Sequence, residues 1–157
     1  MPILEKVDRL ADARAWHGDI PISSLYTVGL AAERFLRALK DEARLLATHC
    51  QECDITYLPP ALFCERCFSE LTDWVTVGPE GTVHTFTTLT VGPDGATLER
   101  PVAVAFVRPD GADGGLIHYL GEVDPDDMAI GMRVIPVFKP APERQGSILD
   151  ILYFKPV

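Results

Sequence analysis

All four cysteines of the chain fall within eighteen residues, as Cys50, Cys53, Cys64 and Cys67. The pattern is C-x2-C, ten intervening residues, and C-x2-C, the spacing of a zinc ribbon. Each C-x2-C closes a tight knuckle that points two thiolates inward. Two facing knuckles place four sulfurs at the corners of a tetrahedron, which suits Zn2+. The intervening stretch carries Pro59 and Pro60, which stiffen the return between the knuckles. A pair of disulfides is the competing reading. C-x2-C in a cell interior favours metal or redox use, and the first ten residues carry charge where an export signal would carry an apolar run. Without a βαβ pattern around it, a thioredoxin-like redox site is disfavoured. Iron stays open beside zinc, because four thiolates hold either. A closed four-thiolate site has no position for substrate, so the metal is expected to be structural and to lend folding energy to a segment too short to bury a core.

Around that anchor the chain reads as three modules. Residues 1–47 form an N-terminal helical segment. Leu4, Val7 and Ala11 suggest a first short helix over about 3–15, and Gly18 and Pro21 interrupt it. A second helix follows. Thr27 is placed to cap it, and Val28, Ala32, Phe35, Leu39, Ala43 and Leu46 recur at spacings of 3 and 4. This stripe packs either on the chain's own body or on another protein. Residues 48–71 are the ribbon. Residues 72–157 look all-β, with strands predicted at 74–77, 82–91, 102–107, 116–120, 132–138 and 148–154 and Gly/Pro turns between them. Five or six strands without intervening helices suggest a small closed barrel, and a five-stranded OB-fold is the usual solution at this size. The expected fold class is therefore mainly β with N-terminal helices, a rubredoxin-like zinc ribbon followed by a five-stranded OB-fold barrel.

Charge narrows the function classes. The net charge is −9. Residues 1–49 balance seven basic against seven acidic residues, whereas residues 70–157 hold six basic and thirteen acidic ones. Zinc ribbons and OB-folds both occur in nucleic-acid-binding proteins, so a single-stranded nucleic-acid-binding module is the alternative reading. Its affinity would need clustered Lys and Arg interleaved with aromatics, and the acidic barrel segment argues against it. No apolar run of eighteen residues is present, so no membrane span is expected and the reading is a cytoplasmic protein.

The order of features is helix, C-x2-C with Pro59 and Pro60 before the second C-x2-C, then Trp74, Gly78 to Val83 as G-x-x-G-T-V, an H-T-F-T strand at His84, and a terminal Tyr153-Phe-Lys-Pro156. It resembles the DUF35 family over about residues 20–157. The resemblance implies a rubredoxin-like ribbon plus OB-fold protein that accompanies thiolase-type enzymes. Systems of this kind include an archaeal thiolase joined to hydroxymethylglutaryl-CoA synthase, steroid side-chain aldolases and benzoylsuccinyl-CoA thiolase. In them the partner carries the catalytic cysteine, and the DUF35 chain assembles the partner and shapes or shields its acyl-CoA site. The implied assembly is a heterotetramer of two thiolase-like and two accessory subunits. The implied cofactors are structural Zn2+ in this chain and a CoA thioester as ligand of the complex. One departure concerns the knuckles. Family ribbons often place Gly after each second cysteine, where φ > 0 is favoured; here Asp54 and Phe68 stand there, and Phe adopts that geometry poorly. The second knuckle is therefore expected to differ in shape.

No catalytic constellation is legible. The cysteines are assigned to metal, His84 and His118 lie on predicted strands, and His17 and His49 lie outside them without metal-pair spacing. His49 precedes a ligand and is a candidate outer hydrogen-bond partner. Ser23 and Ser24 sit in no nucleophile elbow, and Asp124, Asp126 and Asp127 lack EF-hand spacing. The catalytic set is none. Candidates for CoA phosphates are Arg100, Arg108, Arg133 and Lys139, each at a predicted strand edge. Phe86, with Phe63, Phe68 and Trp74, is a candidate apolar wall for a pantetheine arm. Candidates for partner docking are Trp16, Tyr26, Phe35 and Leu39.

Overall fold

The computed structural model describes residues 27–92 and 94–157. The first expected helix, Trp16 and Tyr26 lie outside them. The one α-helix of the described residues, α1, runs Gly29–Glu42 and buries Phe35, Ala38 and Leu39. That i, i+3, i+4 stripe faces the chain's own body. Two details of the predicted helix change. The N-cap is Val28, with no side-chain hydrogen bond, so Thr27 does not cap it. The helix also stops earlier, because Ala43 turns left-handed at φ 50 and its N–H bonds the Leu39 carbonyl. This αL cap satisfies the last carbonyls. Ala43 and Leu46 therefore leave the helical stripe, and Leu46 becomes part of a strand.

That strand, β1 (Leu45–Cys50), is the centre of a three-stranded antiparallel sheet, ordered β2 (Ile55–Tyr57), β1, β3 (Asp73–Val77). All of β1 but His49 is buried, and its short apolar stretch Leu45–Ala47 reads equally as helix or strand from periodicity alone. Trp74 to Val77 was expected as the first barrel strand. Instead β3 pairs with β1, Leu45 opposite Val77 and His49 opposite Asp73, since a central strand needs a neighbour on each edge.

The second sheet is the barrel. Its strands are β4 (Gly81–Val91), β5 (Thr97–Pro109), β6 (Leu116–Tyr119), β7 (Arg133–Phe138) and β8 (Ile151–Pro156), ordered β6-β5-β4-β7-β8 and all antiparallel. A parallel bridge between Leu120 and Phe154 and the bond from Gly121 N–H to the Phe154 carbonyl bring β6 against β8 and close the sheet. Val83, Ala105, Val107, Val134, Ile151 and Phe154 fill the interior. β5 alternates: Ala105 and Val107 are buried, while Val104 and Phe106 are only partly covered, so the apolar run 102–107 is a half-buried strand. The last strand also starts later than predicted. Ile148–Asp150 form a 3-10 turn capped by Ser147 before β8 begins. Asp150 is fully buried, and its burial opposes ionisation. The N–H groups of Gln145, Gly146 and Ser147 nonetheless hold its pKa below the usual carboxylate value by bonding the charged form.

Ribbon and barrel are fastened by the β5–β6 turn. Asp113 N–H donates to the Thr56 carbonyl, and Thr56 N–H donates to the Asp113 carboxylate at 2.8 Å. Gly114 lies so close that a Cβ there would stand 2.2 Å from the Leu58 carbonyl oxygen. One apolar core consequently runs from α1 through β1 and β3 into the barrel. A separate small cluster of Cys50, Cys64 and Leu71 sits under the knuckles.

Candidate metal centre

Cys50 ends β1, and the turn after it brings Cys53 back under the strand. Cys64 opens the second knuckle. Its N–H donates to the Ser69 carbonyl, and the Phe68 N–H donates back to the Cys64 carbonyl at 3.0 Å. The four sulfurs lie within 4.8 Å of one another, with Cys50 and Cys67 at 3.6 Å. A tetrahedron with metal–sulfur bonds of about 2.3 Å has sulfurs roughly 3.8 Å apart, whereas a disulfide needs about 2.05 Å. All four cysteines are free thiols set at metal-site spacing. The expected difference between knuckles is absent. Asp54 at φ 53 and Phe68 at φ 59 adopt the same left-handed turn, because the inward aim of two thiolates demands it of either residue.

Hydrogen bonds around the sulfurs favour charge. The Tyr57 hydroxyl donates to Cys64 at 3.3 Å and accepts from the Glu65 N–H. That bond first, and backbone N–H groups after it, lower the Cys64 thiol to about 6. The Ser69 hydroxyl, 3.0 Å from Cys67 Sγ, holds the Cys67 thiol below its ordinary pKa. Cys53 moves the other way. Its hydrogen bond to Cys67, reinforced by burial, pushes it up to about 12. Four adjacent thiols cannot all ionise without a cation among them. A cation among the four sulfurs would let all of them bind as thiolates. Cys50 and Cys64 are buried, and the four-sulfur set is complete, so the residues fit a closed structural centre. Tyr57 and Ser69 were not singled out in the sequence. Their signal is position, since Ser69 follows the last cysteine by two residues and Tyr57 sits on the strand returning to Cys64. His49 does not touch a sulfur; its Nδ1 pairs with Thr56 Oγ1 across β1 and β2.

The other candidates disperse. Phe35 and Leu39, expected as docking residues, are buried in the chain's own core, because α1 lies on β1 and on the turn before β8. Trp74 and Phe86 pack onto that core, Trp74 under the Arg34 guanidinium at 4.9 Å, whereas Phe63 and Phe68 are exposed. The four rings divide between core and solvent. Arg133 is committed to Asp110, Glu80 and Thr82. Arg100 and Arg108 form no ion pair among the described residues, but eight residues of one strand separate them, roughly 26 Å. Lys139 follows the end of β7, its backbone N–H on the Asp150 carbonyl. Arg108 and Arg133 lie opposite Thr82 from β5 and β7, whereas Arg100 lies eight positions along β5, so the four cations do not form a single cluster. His84 rests edge-on against Phe106, and His118 is enclosed, its Nδ1 accepting from the Tyr119 N–H and its Nε2 3.3 Å from the Ile148 carbonyl. Asp124 caps the 3-10 turn that holds Asp126 and Asp127.

A four-thiolate ribbon continuing into a five-stranded OB barrel defines the class. Family models described as "ChsH2, rubredoxin-like zinc ribbon domain" and "ChsH2, C-terminal OB-fold domain" match residues 37–73 and 74–139. A DUF35 domain-containing scaffold protein of Methanocaldococcus jannaschii is 26% identical over 128 residues, covering 79% of this chain and 89% of that protein. The solved structure titled "Ltp2-ChsH2(DUF35) aldolase" matches with a TM-score of 0.58 and 26% identity, over 78% of this chain and 91% of that one. A DUF35 protein of unknown function from Sulfolobus solfataricus shares the fold with a TM-score of 0.65 and 22% identity, over 82% and 87%. This chain belongs to the DUF35 family.

Proposed function

We propose that the chain is an accessory subunit of a thiolase-superfamily complex that makes or breaks carbon–carbon bonds in acyl-CoA, of the benzoylsuccinyl-CoA thiolase or steroid side-chain aldolase type. The observation that carries this reading is the likeness to the DUF35 component of an aldolase, which spans both ribbon and barrel and nearly the whole of that component. The metal is structural zinc, held by Cys50, Cys53, Cys64 and Cys67. Its closed set of thiolates supplies shape and stability to the ribbon. The partner supplies the nucleophilic cysteine, and the assembly is two partner subunits with two of these chains. CoA is contacted at the complex; Arg100 and Arg108 form no ion pair among the described residues but lie too far apart to share one phosphate, so at most one of them serves a given phosphate group.

The test is purification of the tagged chain from its source cells at moderate salt, with mass spectrometry of co-eluting proteins. A thiolase-like protein in fixed ratio is expected. Elution alone, or with nucleic acid, overturns the reading.

A further inference from the structure

The barrel carries an arm. β4 pairs with β7 only at Gly81 and Thr82, with one further pair of bonds between Val83 and Gly131 and Met132. A bulge between Val83 and Thr85 then turns the strand away. On the other side, β5 pairs with β6 only from Val104 to Val107, with one more bond at Ala103. Thr85–Thr88 still pair with Ala103–Phe106 of β5 but have no partner on their β7 side, and beyond them Leu89–Val91 and Thr97–Val102 have only each other, so β4 presents a free edge from Thr85 onward and ends in a two-stranded tip.

The two free edges of this arm differ. The β5 edge carries Glu99, Arg100 and Pro101, the charges and proline that discourage pairing with another chain. The β4 edge reads Thr85-Phe86-Thr87-Thr88-Leu89-Thr90-Val91, with no charge, no proline and no glycine. All seven residues but Phe86 are exposed, and none makes a backbone hydrogen bond outside the hairpin among the described residues. This is about 24 Å of unprotected, β-branched strand edge. An isolated hairpin of this kind is marginal in water, and an unguarded edge is an aggregation site unless something covers it.

We infer that residues 85–91 receive a β-strand from the partner subunit, which extends the β4–β5 arm by strand addition. The identity of that partner rests on the accessory-subunit reading above. Charge selects a different protein over a second copy. The edge itself is neutral, but it is flanked by Asp94 and Glu99 on a barrel segment of six basic and thirteen acidic residues. Two copies paired along this edge would set like-charged barrels side by side. The fitting occupant is an uncharged extended segment on a neutral or basic surface. Alternate backbone N–H and C=O groups of β4 supply the bonds, and the threonine and leucine faces supply the packing.

The experiment is amide hydrogen exchange of residues 85–91, in the isolated chain at two concentrations and in the complex purified from source cells. At least tenfold slower exchange in the complex, with fast exchange in the isolated chain at both concentrations, is the expected result. A complex that forms while these amides stay fast overturns strand addition and leaves the accessory function standing. Absence of a thiolase-like partner overturns both. Protection that grows with concentration of the isolated chain assigns the edge to a second copy, and concentration-independent protection assigns it to this chain's own residues; either overturns the inference. A second reading uses Thr87→Lys with Leu89→Lys, two exposed positions. It is expected to weaken recovery of the partner at least tenfold, while Ala96→Lys with Thr97→Lys leaves recovery unchanged. Equal loss from both pairs also overturns it.

Discussion

The burial of α1 can be put to a numerical test at Leu39. Its side chain is 0% exposed and meets a core shared by β1 and the barrel. Leu39→Ala removes three buried carbons and leaves a cavity walled by strands that cannot close on it. Substitutions of this kind cost about 2.7–5 kcal/mol, and the rigid sheet beneath α1 places this one near about 3 kcal/mol or above. For a chain of this length each kcal/mol lowers the melting midpoint by roughly 2–4 °C, so a loss of about 6–12 °C is expected. The assay is urea and thermal unfolding followed by circular dichroism with the metal site saturated, which separates a change of midpoint from a change of slope. Leu30→Ala is the internal control. Leu30 sits on the same helix but is 67% exposed, and its truncation is expected to stay within about 0.5 kcal/mol. If the two variants cost the same, and less than about 1 kcal/mol, then α1 is not part of the core. The helix would then regain its standing as a docking element.

Chelation of the metal is expected to loosen residues 50–71 while the barrel persists, because the small cluster of Cys50, Cys64 and Leu71 is separate from the main core; hydrogen exchange localised to the ribbon checks this, and global unfolding refutes it. Phe68→Gly is expected to raise the unfolding free energy slightly, by about 0.5–1 kcal/mol, because a left-handed turn costs Phe about 1–2 kcal/mol and its ring, 79% exposed, packs on little; a loss of stability would show that the ring holds the knuckle. Burial holds the His118 pKa below its ordinary value, against the opposing hydrogen bond to the Ile148 carbonyl, so the unfolded chain takes up the proton first. Its contribution to stability is present above about pH 6.5 and falls as pH drops below that value; His118→Gln should flatten the slope of stability between pH 7 and 5, and an unchanged slope refutes the assignment. Gly114→Ala is expected to cost about 2 kcal/mol or more by driving a Cβ into the Leu58 carbonyl, read as a lowered urea midpoint.

What the residues disclosed and what they withheld divide along physical lines. The cysteine spacing is chemistry written locally, since a tetrahedral ion dictates its ligands' positions within eighteen residues. The barrel strands were legible because alternation and Gly/Pro turns are short-range signals. The errors cluster where long-range packing decides. β1 continues the spacing of α1 by coincidence, and only the αL turn at Ala43 separates them. β3 looks like a barrel strand until its partner is known, and pairing partners are not written in strand propensity. Phe35 and Leu39 read equally as docking or core residues, because an apolar stripe does not name what covers it.

The metal site, the turn at Gly114 and the arm belong to one design. The ribbon cannot bury enough apolar surface to stand alone, so the ion holds its knuckles and the bonds between Thr56 and Asp113 pin it to the barrel. The barrel is closed by β6 against β8, which removes the edges it would otherwise expose. Two liabilities among the described residues stay open in the isolated chain. One is the run from Thr85 to Val91. The other is the pair of exposed rings at Phe63 and Phe68, the latter on a left-handed turn that glycine would make at lower cost. Both features cost the isolated chain stability or solubility, and neither serves the metal. A chain that works alone has no use for either, whereas a subunit that functions only in a complex leaves such surfaces to be covered by its partner.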